Sequence, residues 1–250
     1  MAEPKVKSLY KALQIFNCFD GRNPELGVTE IARRTGMLKS SVHNIMQTFE
    51  QCGFVEKNSA TSKYTIGNTI LALGNIKLAN SDLRSVLQPN LKKISNLTNE
   101  NSYFVIPSGT SVMYISAICP GDLTRNENLL GFKAPMYCTG VGKAVMAFLG
   151  EEKLNEVINQ GLKAYTENTI TDHQRLREEM EIIRKRGYAI DNMEHEYGVK
   201  CVAVPIFNTF NKAIGSISVS GPSPRFDDDK IKLYSKYLTE VADSVKNLLR

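Results

Sequence analysis

The chain has 250 residues, 42% hydrophobic and 23% charged. That composition is globular, excludes a disordered chain, and allows one large domain or two modest ones. No apolar run approaches the ~18 residues that a membrane span requires, and MAEPKVKSLYKAL at the start has no apolar stretch after its lysines, so neither a membrane segment nor a signal peptide is expected.

Net charge is +5, of which residues 1–67 carry +3 (nine Lys/Arg against six Asp/Glu) and the remainder +2 (22 against 20). The lean toward the N-terminal quarter fits nucleic acid, and it equally fits a solvated face. The five cysteines, Cys18, Cys52, Cys119, Cys138 and Cys201, form no CxxC pair and are odd in number. Free thiols in a reducing cytoplasm are expected, most of them as small buried hydrophobes. None of the three histidines stands four residues from another His or a Cys, so no metal site is predicted, and no motif calls for a cofactor.

Leu9, Ala12, Leu13 and Phe16 recur at helical spacing, which predicts an amphipathic helix over 8–19 with Ser8 as its cap. A loop with Gly21, Asn23 and Pro24 ends it. Thr29 can cap a second helix that turns Ile31 and Ala32 inward and stops at Gly36, where glycine tolerates positive φ. A third helix places Val42, Ile45, Met46 and Phe49 inward and ends at Gly53. FVEK and KYTI read as two short strands around a turn at Asn58–Ser59. Three helices and a hairpin make a winged helix-turn-helix.

The outward face of the third helix carries Lys39, Ser40, Ser41, His43, Asn44 and Gln47. Short donors near a helix N-terminus suit phosphates and base edges in the major groove of double-stranded DNA. Lys57 and Lys63 on the hairpin can reach flanking phosphates. A three-helix interaction module with a polar surface is the competing reading.

Residues 68–84 read as an apolar linker helix, and helix continues past Pro89, which starts a new helix or kinks one. SYFVIP and SVMYISAI form a hairpin around SGT. GFKAPMYCTG is irregular, and VGKAVMAFL, EEKLNEVINQ and DHQRLREEMEIIRKRG are helices, the last capped by Thr171. YAID, CVAVPIF and AIGSISVSG are strands, and a long helix with aspartates at its positive end closes the chain. The result is an α+β protein. A winged helix-turn-helix over 5–67 and the linker over 68–84 lead into an α+β domain over 85–250 with a mostly antiparallel sheet.

TGVGKA is not a nucleotide loop: a Walker A motif needs glycine where Tyr137 stands and Ser or Thr in place of Ala144, and Val145 replaces the last glycine of GxGxxG. Two glycines opening a helix can still bring backbone N–H groups close to a small anion, although a plain tight turn has the same sequence.

Several stretches together resemble the IclR family of bacterial transcriptional regulators nearly end to end. SLYKALQIFNCF is similar to its first helix, VTEIARRTGMLKSSVHNIMQTFEQCGFV to its helix-turn-helix, and YTIGNTILALG to its wing exit and linker. GFKAPMYCTGVGKAVMAFL and DNMEHEYGVKCVAVPIF, followed by SISVSGPSPRF, are similar to its effector-domain signatures. Asn44 stands where the family commonly has arginine, and Leu38 where a proline or small polar residue is usual. Asparagine can pair with adenine whereas arginine favours guanine, so the resemblance implies the binding mode and leaves the operator sequence open.

The resemblance implies a GAF-like effector domain and an effector pocket at Gly140, Val141, Asp191, Cys201, Ser218 and Ser220. It also implies a small organic acid as effector, a homodimer or homotetramer on a palindromic operator, and repression. Ser218 and Ser220, two apart on a strand, share a face. Cys201 can instead be a core thiol, and Asp191 a strand-end cap. Glu194 and Glu196 are assigned to salt bridges or loop structure. Two other functions stay open: an enzyme with Cys201 as nucleophile and His195 as base, and an interaction module with no ligand.

Overall fold

The computed structural model describes residues 3–20, 23–79, 82–120 and 129–248, and the chain divides into two compact units, 1–81 and 82–250. Gly21 of the predicted loop and residues 80–81 of the predicted linker lie outside the described residues.

In the first unit, α1 (Lys7–Gln14) tightens into a 3-10 turn at Ile15–Cys18, followed by α2 (Val28–Thr35), α3 (Lys39–Gln51), the hairpin β1 (Val55–Lys57) and β2 (Tyr64–Ile66), and α4 (Asn68–Ala79). Gly36, at φ 70°, ends α2 as expected. The core is Ile15, Leu26, Ile31, Val42, Met46, Val55 and Tyr64, each at most 1% exposed.

The expected stripe on α1 is corrected. Leu9 and Leu13 are 55% and 49% exposed, while Ile15 and Cys18 are buried. The α-helix itself buries none of its residues; the core is met only in the 3-10 turn that follows, whose different period sets Ile15 and Cys18 inward with Phe16 packed beside them. The predicted caps at Ser8 and Thr29 are also corrected, since the capping positions fall on Val6 and Gly27. The start of α4 is fastened to the end of α3 and to the hairpin. Thr69 Oγ1 donates to the Cys52 carbonyl at 3.2 Å, and Asn68 Nδ2 to Glu56 Oε1 at 2.8 Å. Beyond that start, Leu71, Leu73 and Ile76 are 62%, 50% and 60% exposed.

The second unit is a six-stranded antiparallel sheet in the order β5-β4-β3-β8-β7-β6. Its strands are β3 (Asn101–Ser108), β4 (Ser111–Ile118), β5 (Lys133–Pro135), β6 (Ala189–Asn192), β7 (Val199–Phe207) and β8 (Ala213–Pro222). Strand β5 lies within the stretch expected to be irregular. Side chains alternate faces along each strand. Val202, Val204, Ile217 and Val219 pack on α5 (Asp82–Thr98) and α9 (Asp228–Lys246). Cys201, Ala203 and Ala213 pack on α6 (Gly140–Met146), α7 (Glu151–Asn159) and α8 (His173–Arg186). Pro89 lies inside α5 and does not begin a new helix. The cap of α8 is Asp172, whose Oδ1 accepts from the Arg175 N–H at 2.8 Å, and not Thr171. No helix among the described residues is long and apolar enough to cross a membrane.

Candidate functional site

In the first unit, Val42 and Met46 anchor α3 with no exposed surface. A helix anchored on those positions presents Ser40, Asn44 and Gln47 directly outward, with Lys39 and His43 on one flank. All five are exposed. Ser41, also exposed, shares a groove beside α1 with Ser8, Lys11, Gln14 and Ile45. It stands on the opposite flank of that surface.

The hairpin is held to its domain by Glu25, whose Oε1 accepts from Asn58 Nδ2 at 3.1 Å and from Thr61 Oγ1 at 3.0 Å. Lys57 and Lys63 on it are exposed, with the Lys57 ammonium 5.7 Å from the Tyr64 ring centre. Arg34 has a different task. It donates to the Cys18 carbonyl at 2.8 Å and to Asn23 Oδ1 at 2.9 Å, and it pairs with Glu30 at 2.7 Å, locking α2 against the 3-10 turn.

In the second unit, the strand registers bring the predicted pocket residues to one place. Asp191 pairs with Cys201 across β6 and β7, Cys201 with Ser220 and Ala203 with Ser218 across β7 and β8, and Ser218 with Tyr103 on β3. Asp191, Cys201, Ser218 and Ser220 therefore lie on the face that packs on α6. The glycine turn sits against them: a methyl group on Gly140 would come 2.8 Å from Cys201 Sγ, and one on Gly142 only 2.4 Å from the Met136 carbonyl oxygen. No larger residue fits this approach. Thr139 caps the turn, its Oγ1 accepting from the Gly142 N–H at 3.1 Å and donating to the Pro135 carbonyl at 2.7 Å.

Burial controls the chemistry here. Asp191 is 6% exposed, and its carboxyl is pushed up to about 7, above all by loss of solvent. The amide N–H of Glu194, donating to Asp191 Oδ1 at 2.7 Å, partly offsets that. Burial, then the nearby Asp191 charge, pushes the Cys201 thiol up to about 12, so it stays a neutral thiol. Ser218 Oγ is fully buried and lacks a hydrogen bond of proper geometry; the adjacent Cys201 thiol gives it only a weak sulfur contact.

Three groups at this site were missed in the sequence. Ser216 lies on the same face, and its hydroxyl donates to the Val141 carbonyl at 2.6 Å, fixing the turn from below. The period-two pattern that pairs Ser218 with Ser220 extends to it. Tyr103 and Tyr114 meet edge to face at 5.5 Å, a cross-strand contact with no local signature. Lys143 is only 1% exposed and pairs with Glu194, as the salt-bridge assignment of Glu194 expected.

A winged helix-turn-helix with an exposed polar face on its third helix, carried on the same chain as an antiparallel α+β domain, defines a DNA-binding regulator of transcription. Residues 8–59 match the IclR helix-turn-helix domain, and residues 76–247 match the bacterial transcriptional regulator IclR C-terminal domain. The chain belongs to the IclR family. It is 30% identical over 243 residues to the HTH-type transcriptional regulator KdgR of Dickeya chrysanthemi, covering 97% of this chain and 79% of that protein. It is likewise 30% identical over 247 residues to the transcriptional repressor IclR of Escherichia coli, covering 98% and 90%. The crystal structure of Thermotoga maritima IclR is similar at 34% identity with a TM-score of 0.70, covering 96% of this chain and 97% of that one.

These relatives are regulators, and the protein is one also, not an enzyme. The cysteine-nucleophile reading has no chemical footing either. The Cys201 thiol is protonated, and His195, its supposed base, lies against the Tyr165 ring at 5.0 Å.

Proposed function

We propose that the protein is a repressor that binds a palindromic operator as a dimer or tetramer in the cytoplasm, and that a small organic acid bound in the C-terminal domain controls its operator affinity. Residues 5–67 form the reading module, 68–84 the linker and 85–250 the effector and oligomerisation domain. Ser40, Ser41, His43, Asn44 and Gln47 enter the major groove, while Lys39, Lys57 and Lys63 meet phosphates.

One observation carries the ligand half: the buried Ser218 hydroxyl that lacks a proper partner. Buried polar groups are nearly always satisfied, and an unsatisfied one asks for an explanation. A carboxylate held by the Gly140 and Val141 amides, with Ser218 and Ser220 donating and Asp191 reaching a ligand oxygen, supplies it. An IclR homologue from Microbacterium hydrocarbonoxydans, 19% identical, is solved in complex with 4-hydroxybenzoate. That likeness is one of fold, and it supports a carboxylic acid as a ligand class without naming this one. Exposed Leu9, Leu13, Leu71 and Ile76 favour a second copy against α1 and α4. Selecting bound fragments from genomic DNA, then screening small carboxylates for release of the selected operator, tests both halves. Failure to enrich any palindrome removes the operator reading.

A further inference from the structure

Lys143 is the one charged side chain of TGVGKA, and binding of an anion at the glycine turn does not use it directly. It stands one turn beyond Gly140 on α6, and its ammonium donates to Glu194 Oε1 at 2.5 Å and to Glu179 Oε1 at 3.3 Å. Glu179 is shared with Arg186, whose guanidinium reaches it at 3.2 Å. From Glu194 the path returns to the site, because its backbone N–H holds Asp191 Oδ1 at 2.7 Å. The loop that carries Glu194 is pinned independently. Thr169 Oγ1 donates to the Glu194 carbonyl at 2.6 Å, Thr166 Oγ1 donates to the Met193 carbonyl at 2.7 Å, and Met193 sits at φ 60°. The glycine turn on α6 and the loop that follows Asp191 are thus joined by one buried ion pair.

A pair that only held the fold would be expected to satisfy all its polar atoms. Glu194 does not, for its Oε2 is buried and lacks a hydrogen bond of proper geometry, the Asn192 backbone N–H giving its carboxylate only a loose contact. Its charge also acts on the site: Glu194 raises Asp191, and Lys143 lowers it along with Cys138 and Cys201. Asp191 is faced by the Glu194 and His195 amides, Cys201, Cys138, Tyr114, Lys143 and Glu194. Burial keeps the two thiols and the phenol protonated at neutral pH. Lys143 and Glu194 are therefore the two charges that set the field on Asp191.

We propose that Lys143 and Glu194 are positioning residues of the effector site, joining the glycine turn to the Asp191 loop and deciding whether Asp191 meets a bound carboxylate as a hydrogen-bond donor or as a repelling anion. A neutral Asp191 donates its O–H to an acid oxygen, whereas a charged one excludes it. The proposal rests on the effector reading above, but its test needs no effector, so the two can fail separately.

Full-length protein carrying 13C-labelled aspartate is titrated, and the Asp191 carboxyl signal is assigned by its loss in Asp191→Asn. Glu194→Gln keeps the size, the ammonium contact and the backbone N–H but removes the negative charge. The Asp191 midpoint should fall from near 7 to about 6 or below. Adding Lys143→Met to that variant removes the cation without leaving a buried charge unpaired, and the midpoint should climb again. Opposite movements in these two steps support the assignment. An unmoved midpoint after Glu194→Gln, or a second step in the same direction as the first, overturns it and leaves the pair as a bridge of the fold.

Discussion

Gly140 and Cys201 touch so closely that a single methyl group on the glycine would lie 2.8 Å from the sulfur and 3.2 Å from the Cys201 Cβ. The helix start and strand β7 are pressed together at this point. Gly140→Ala should destabilise the C-terminal domain by about 1–3 kcal/mol through overpacking. Cys201→Ala in the same chain removes the nearer of the two atoms and should restore part of that loss. Chemical denaturation of the two single variants and the double variant checks this, and strictly additive losses would contradict the contact.

Asp191 makes stability depend on pH in a stated direction. Its carboxyl is near 7 in the folded chain against an ordinary 3.8, so between these values the unfolded chain has released a proton that the folded chain retains. Its contribution is fully present below about pH 4 and is lost as pH rises through about 7. Asp191→Asn, whose side-chain oxygen can still accept from the Glu194 N–H, should melt higher than wild type at pH 8 and show no such advantage at pH 4. A constant difference at both values would mean that folding leaves the carboxyl at its ordinary value.

In the DNA-binding unit, a substitution on the hairpin and one on α3 should behave differently. Lys57→Ala should weaken binding to every DNA alike and flatten its salt dependence, since a phosphate contact carries no sequence information. Asn44→Ala should lose roughly 1–3 kcal/mol at one base-pair position only. Binding to a panel of single-position operator variants at two salt concentrations separates them. Uniform weakening by Asn44→Ala would remove it from the base-reading set.

Much of this architecture was legible because periodicity reports burial directly. Val42 and Met46 announce the buried side of α3, and Ser218 with Ser220 announces one face of β8. The first helix misled because its apolar stripe is not a core stripe: Leu9 and Leu13 are exposed, and the core is taken by Ile15 and Cys18 of the following 3-10 turn, whose period differs. Caps were misplaced by one or two residues: the helices start at Val6 and Gly27, which make no side-chain cap, so capping chemistry did not mark those ends, while at the third Asp172 caps in place of its neighbour Thr171. The clasp from Lys143 to Glu194 joins residues 51 positions apart, and the Tyr103–Tyr114 contact depends on strand pairing. Neither distance nor register is written in local spacing.

The most direct test of the regulator account is operator affinity with and without a releasing carboxylate, measured for wild type and for Ser218→Ala combined with Ser220→Ala. Wild type should lose affinity by roughly 5- to 150-fold when the acid is added, the range of ordinary allosteric coupling. The double variant should bind the ligand-free operator as wild type does and should not respond to the acid. A double variant that still responds at the wild-type acid concentration would contradict the account and place the effector elsewhere in the C-terminal domain.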